Sequence, residues 1–512
     1  MQAGARRSRE FDNGVVLACA MLGSFMQGID TTVANVSLPY MQGALQASRD
    51  QITWVLTGYV VASAIMTAPV GWIAGRFGRK NFMVTCLAGF TVTSMLCGAA
   101  QTLDQIVLFR ILQGMFGAAL QPLSQAIVMD LYPDEKRGQV MAFWGIGSML
   151  GPIIGPTLGG LLTEHMTWRW VFYINVPFGI LATMGTWVYL HDNAHDRALK
   201  LDWIGFGVLS LGIGAMQLML DRGQTQDWFS SGEIITETVL AGLGIYLFLV
   251  HMFTAEKPFI PKAMFADRNF VSAISLMFLV GMVVLASSAL LPPYLQNMAG
   301  YTAVDTGLMM APRGIGNVLG MLIVGRISNR VDPRLLIGFG MLLVLWSMWD
   351  MAHWTPQVST FDVTLATVAQ GFGLGFVFIP NNLVAFDTLP QYLRTDASAF
   401  FNLVRNIGSA IGISVTSALL ANSMQIARSG LAANVSPFNR ALDVNAQSLM
   451  WSPRLPFGLQ SLNAIVDQNA AIIAYADDFL FMFFTCMPVL AVTLMMRPTR
   501  QAAPASMTEF IE

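Results

Sequence analysis

The sequence predicts an all-α integral membrane protein with fourteen transmembrane helices. Two observations carry that class. Hydrophobic residues make up 54% of the 512-residue chain and charged ones 11%, about half the charged share of a soluble domain, so most of its surface must face lipid. The apolar residues also gather into fourteen runs separated by polar loops, each close to the roughly 20 residues that a helix needs to cross a bilayer.

In chain order the runs are Val15–Leu38, Ile52–Ala74, Phe82–Ala100, Ile106–Met129, Val140–Leu162 and Val171–Leu190, then Trp203–Leu220 and Ile234–Phe253. The remaining six are Phe270–Leu295, Gly307–Ile327, Leu335–Ala352, Phe361–Phe386, Ser398–Ala421 and Phe479–Met496. The runs fall over 15–190, 203–253 and 270–496, between expected tails over 1–14 and 497–512. The polar segment 422–478 is expected outside the membrane, with short amphipathic helices around Asn445–Met450 and Leu459–Ala474.

An even number of crossings puts both termini on one side, and the basic residues say which. Loops on the terminal side carry 19 Lys and Arg, those on the other side six. Because basic residues are retained in the cytoplasm, both termini are expected there. Adding or dropping one crossing would blur the asymmetry, which is a second argument for fourteen.

Several function classes fall away. The formal net charge is −2 and the basic residues are scattered over loops, so nucleic-acid binding is not expected. Cys19, Cys86, Cys97 and Cys486 all lie in apolar runs, where a small buried thiol is the expected role and neither a disulfide frame nor a metal site is. His191 and His195 have a ligand-like spacing but share a charged loop with Asp192, Asp196, Arg197 and Lys200. The chain has no Gly-x-x-x-x-Gly-Lys-Ser/Thr phosphate loop and no His-Glu-x-x-His zinc helix. Gly371, Gly373 and Gly375 lie inside an apolar run without a preceding strand, which suits close helix packing rather than a dinucleotide turn. No enzyme, metal or bound cofactor is therefore expected, and a transporter driven by an ion gradient remains.

Motifs then narrow the class. After the second run comes Gly71-Trp72-Ile73-Ala74-Gly75-Arg76-Phe77-Gly78-Arg79-Lys80, and a weaker echo, Gly325-Arg326-Ile327-Ser328-Asn329-Arg330, follows the tenth. The first run holds Ile29-Asp30-Thr31-Thr32-Val33-Ala34-Asn35-Val36-Ser37-Leu38-Pro39 and the fourth Arg110-Ile111-Leu112-Gln113-Gly114. The fifth holds Gly147, Gly151-Pro152 and Gly155-Pro156-Thr157-Leu158-Gly159-Gly160. In this order the set resembles the major facilitator superfamily, and within it the fourteen-span drug:proton antiporters of the EmrB/QacA type. Trp168-Arg169-Trp170, Leu220-Asp221-Arg222-Gly223, Asp227-Trp228-Phe229 and Asn434-Val435-Ser436-Pro437-Phe438-Asn439 favour the EmrB side of that family.

The resemblance implies the major facilitator fold, two six-helix bundles with two extra central helices, and proton-driven export of amphipathic toxic compounds across the bacterial inner membrane. It also implies a periplasmic adaptor of the EmrA type and an outer-membrane channel as partners. Gly71, Arg76, Gly78 and Arg79 take the place of the family's gating loop, with Gly75 where the family usually has Asp. Gly151, Pro152, Gly155, Pro156, Gly159 and Gly160 take the place of its antiporter motif, where small residues let a helix approach closely and prolines bend it. A stand-alone exporter of the QacA kind, a metabolite or fatty-acid transporter of the same fold and a membrane sensor are the other readings.

The mechanism expected rests on charges that a bilayer rejects, since an ionised side chain at mid-helix costs about 2.5–3.5 kcal/mol on insertion scales. Asp30, Arg110, Arg313 and Arg405 stand out. Asp30 is the expected proton carrier with Arg110 beside it; the alternative is a carboxylate permanently paired with Arg110 or bonded to Asn35. Gln27, Asn35, Gln113, Gln121, Arg313, Asn381, Asn382 and Arg405 are the candidates for substrate or cavity contacts.

Overall fold

The computed structural model describes residues 2–191, 200–256, 258, 260–328, 330–435 and 456–496. The expectations for His195, for Asn445–Met450 and for the 497–512 tail fall outside them. Fourteen spans are present when two bent helices are each counted once. They are α1 (Phe11–Ala44), α2 (Gln51–Thr67 and Val70–Phe77), α3 (Arg79–Ala99), α4 (Leu103–Leu131), α5 (Glu135–Gly155 and Thr157–His165), α6 (Trp170–Tyr189), α7 (Trp203–Arg222) and α8 (Gly232–Thr254). The rest are α9 (Arg268–Met298), α10 (Asp305–Ile327), α11 (Pro333–Ala352), α12 (Thr360–Asp387), α13 (Gln391–Ala432) and α14 (Pro456–Met495).

The loops carry the signals that start these helices. Ser48 and Gln51 form a reciprocal capping box before α2, and Thr102, Asp202, Asp267, Thr302, Asp332 and Ser359 cap α4, α7, α9, α10, α11 and α12 with side-chain oxygens. Each satisfies an amide that the helix leaves without a partner, which matters most where water is scarce. Between Thr67 and Val70 α2 bends by 58°, at Pro69, which lacks the N–H that would continue the helix. Gly78 turns the chain from α2 into α3 at φ +88°, a conformation that favours glycine.

The second run is thus two segments joined at a bend. The helix containing the fifth run is bent by 43° between Gly155 and Thr157, in the motif whose prolines were expected to bend it. One expectation needs correction. Around the external segment, 422–432 and 456–478 are not a loop with short helices of its own; they continue α13 and α14 past the apolar runs. Polarity ends a membrane run without ending a helix, since Ala, Leu, Gln and Arg keep good helix propensity in water. There Arg428 Nε pairs with Asp467 at 2.7 Å, tying the two projecting helices together.

Helices α1–α6 pack on one another and α9–α14 do the same, joined along α4–α13, α5–α10 and α2–α13. The inserted pair α7–α8 rests on α2 and α13. There Thr57 of α2 donates to Asp221 of α7, and Ser414 of α13 donates to the Leu220 carbonyl at 3.0 Å. Within the pair, Gly212 and Gly244 meet backbone to backbone: a Cβ on Gly244 would lie 2.5 Å from the Gly212 nitrogen. All four cysteines are buried and free.

Candidate functional site

Small residues set how closely α1 meets α5, and that approach positions Asp30. A Cβ on Gly151 would lie 2.6 Å from the Phe25 carbonyl oxygen, one on Gly155 1.9 Å from Thr32 Oγ1, and one on Gly159 3.2 Å from the Val33 carbonyl oxygen. From the other side Pro152 Cδ stands 2.7 Å from where a Cβ on Gly28 would be. Gly160 differs, since an added Cβ meets nothing within 4 Å. Three of the four motif glycines thus face α1.

Against this seam Asp30 is 1% exposed and gathers donors from two other helices. Arg110 Nη1 of α4 donates to Oδ2 at 2.6 Å. Gln113 Nε2 of α4 and Asn175 Nδ2 of α6 donate to Oδ1 at 2.9 and 3.2 Å. The same two amides also donate to Ser94 Oγ of α3 at 3.2 and 3.1 Å, and Ser94 passes its own hydrogen to the Phe172 carbonyl at 2.9 Å. Arg110 is held further by the Val55 carbonyl at 3.1 Å and by the Tyr59 ring, 4.2 Å from its guanidinium carbon. One ion pair and its amides therefore join α1, α2, α3, α4 and α6. Ionised, Asp30 accepts three bonds donated from α4 and α6; protonation removes the charge that Arg110 neutralises.

Asn35 stands apart, exposed on α1 rather than bonded to Asp30. Gln27 is half-buried, with Oε1 enclosed and without a donor among the described residues. Ser94 and Asn175 join the site without a signal in the sequence: a lone Ser in an apolar run is unremarkable, and Asn175 lies five residues past the Trp168-Arg169-Trp170 stretch.

A second polar cluster gathers on the C-terminal half of α4, where the two halves of the chain meet. Gln125 donates to Asn382 of α12, while its Oε1 accepts from Ser398 Oγ at 3.0 Å and from Asn402 Nδ2 at 3.2 Å, both of α13. Ser398 Oγ also lies 3.0 Å from the Pro122 carbonyl, and Arg405 Nη2 donates to Gln121 Oε1 at 2.7 Å. Asp130 pairs with Arg79 and, at 3.0 Å, with Arg394 of α13. Asp396 fills the space beside Gly71, where an added Cβ would lie 1.6 Å from its Oδ1. Arg76 lies over Trp72 at 5.5 Å. With Gly75 in the loop, carboxylates at this contact come from Asp130 and Asp396. Asp130 escaped the sequence reading because it falls one residue past the apolar run that ends at Met129.

The other candidates lie in the second half. Asn381 Nδ2 donates to the Ala273 carbonyl at 3.1 Å and holds α12 to α9. Arg313 Nη1 donates to Ser288 Oγ of α9 at 2.8 Å. No cluster of three or more His, Cys, Asp or Glu fit to hold a metal occurs among the described residues.

A membrane-spanning helical chain with two groups of six helices, a buried Asp–Arg pair in the first and a loop-and-α13 contact between them, is built like a transporter that alternates access. The match to the Major Facilitator Superfamily model over residues 20–413 agrees, and the chain belongs to that family. Among curated relatives, it is 34% identical to the multidrug export protein EmrB of Haemophilus influenzae, covering 83% of this chain and 84% of that one. It is 33% identical to the fatty acid resistance protein FarB of Neisseria gonorrhoeae, covering 91% and 93%. Among solved structures, the proton:xylose symporter XylE bound to 6-bromo-6-deoxy-D-glucose shares the fold with a TM-score of 0.57 at 13% identity, covering 93% of this chain and 95% of that one.

Proposed function

We propose that this chain is a proton-driven multidrug exporter that moves amphipathic toxic compounds across the bacterial inner membrane, with both termini in the cytoplasm. The observation that carries the coupling is the Asp30–Arg110 pair, with both side chains 1% exposed, inside the helix group built around the antiporter-like motif. The EmrB relatives support the export reading.

A proton reaching Asp30 cancels the charge to which Arg110, Gln113 and Asn175 are bonded, so α1, α4 and α6 are no longer tied to one point. Substrate and proton then compete through the position of α1, which is the differential interaction that alternating access needs. The α4–α13 contact, with Asp130 between Arg79 and Arg394, holds the halves together on the side of the termini. Its opening admits substrate from the cytoplasm or the inner leaflet. Gln27, Asn35, Gln113, Gln121, Asn381, Asn382, Arg313 and Arg405 are the polar groups from which the substrate path is drawn.

The projecting ends of α13 and α14 suit hand-off to a periplasmic adaptor of the EmrA type and an outer-membrane channel. Everted vesicles offered a panel of dyes in the medium test the reading. Uptake should follow an imposed pH gradient and stop when the gradient is collapsed. Uptake indifferent to the gradient would refute proton coupling.

A further inference from the structure

Among the described residues, two half-buried guanidinium groups in the second half of the chain have no counter-ion. Arg313 and Arg405 form no ion pair among the described residues, and every partner they have is neutral: Ser288, Ser287 and the Val284 carbonyl for Arg313, and Gln121 for Arg405. Arg110, by contrast, is neutralised by Asp30. Arg405 leaves Nε and Nη1 without a partner among the described residues.

Both cations abut the same wall. Arg313 bonds to α9 at Val284–Ser288, and a Cβ on Gly281 of α9 would lie 3.2 Å from Arg405 Cγ. Residues 281, 284 and 288 fall on one helix face, and at 1.5 Å per residue these attachment points are about 5–10 Å apart. Arg405 reaches Gln121 across the contact between the two helix groups, and Gly314, next to Arg313, packs on Ile153 of α5. At Arg405 this face therefore borders the contact between the halves. An unpaired charge within a membrane-embedded fold is costly enough that it faces water, a partner or a ligand. The planar fork of arginine matches carboxylate and sulfate oxygens.

We propose that Arg313 and Arg405 form a headgroup subsite on α9 for an anionic amphiphile, a carboxylate or sulfate on an apolar body. The inference names the substrate charge for the exporter proposed above and rests on that reading for the ligand's release. Binding itself is separable, because it is measured at equilibrium without a pH gradient. Loss of proton-driven efflux alone would leave this site standing.

The full chain in nanodiscs of phosphatidylcholine is titrated with dodecanoate and with dodecyltrimethylammonium, which share a tail length and differ in charge. Dodecanoate should bind at least tenfold more tightly. The Arg313→Gln, Arg405→Gln double variant should lose at least tenfold for dodecanoate and leave the ammonium unchanged. The corresponding Lys variants keep the charge, control for folding and should retain most of the binding. Equal affinity for the two probes, or a double variant that binds dodecanoate like wild type, would overturn the proposal. A second set of discs contains phosphatidylglycerol. A tenfold loss of dodecanoate binding there, with phosphatidylglycerol retained by wild type and not by the double variant, would assign the site to a lipid headgroup and overturn it as a substrate site. Unchanged dodecanoate affinity in those discs would support it.

Discussion

Adding one methyl group to α5 should uncouple transport without touching a polar residue. In Gly151→Ala the new Cβ would lie 2.6 Å from the Phe25 carbonyl oxygen, 2.7 Å from the Ile29 nitrogen and 2.9 Å from the Gly28 carbonyl carbon. These are backbone atoms that cannot rotate away. Restoring ordinary contact near 3.4 Å requires α1 and α5 to part by about 0.8 Å at this level, at an overpacking cost of roughly 1–3 kcal/mol. Asp30 adjoins Ile29, so it moves with α1. Its 2.9 and 3.2 Å bonds to Gln113 and Asn175 would stretch toward or past the limit of a hydrogen bond, and bonds to a charged group contribute about 1.5–3 kcal/mol each. Losing one of them corresponds to about 10- to 150-fold in the coupled step. Efflux driven by a pH gradient in vesicles, normalised to inserted protein, should fall at least tenfold. Gly160→Ala, whose Cβ meets nothing within 4 Å, should transport like wild type. Equal activity of Gly151→Ala and Gly160→Ala would refute the link between the glycine seam and Asp30.

Three further outcomes are expected. Reporter tags at Met1 and Glu512 should both read cytoplasm, and a cysteine at the exposed Phe457 should label from outside; an external C-terminus would overturn the fourteen-span topology. Asp130→Asn removes the charge shared by Arg79 and Arg394, and should raise labelling of a cysteine at Gln121 from the cytoplasmic side at least tenfold, for a loss of about 1.5–3 kcal/mol; unchanged labelling would remove this pair from the closure. Deleting Leu431–Leu462 should spare efflux by the isolated pump in vesicles and lower resistance in cells, whereas equal loss in both assays would make the segment part of the pump's own exit.

How far the sequence could be read depended on whether the signal was local. Fourteen spans were legible because a bilayer demands a continuous apolar run wherever a helix crosses. Asp30, Arg110 and Gln113 were legible because each breaks such a run, and the structure brings them to one point. Ser94 and Asn175 contribute through contacts between α3, α6 and α1 that no spacing along the chain encodes. The same holds for Gln125, whose partners lie more than 250 positions away in α12 and α13. The α2 bend falls at Pro69, a residue visible in the sequence; what hid it was hydropathy that continues through the break. The continuation of α13 and α14 beyond the membrane was hidden because helix propensity and membrane burial are separate properties, and the runs measured only the second.

Asp30→Asn tests the central claim most directly. The amide keeps the size of the carboxyl group but can neither pair with Arg110 as an anion nor cycle a proton. Reconstituted at the wild-type level, the variant should bind substrate and insert normally. It should show no substrate-linked proton movement when a pH-sensitive dye is followed inside the vesicles. Proton movement and gradient-driven efflux equal to wild type would contradict the account.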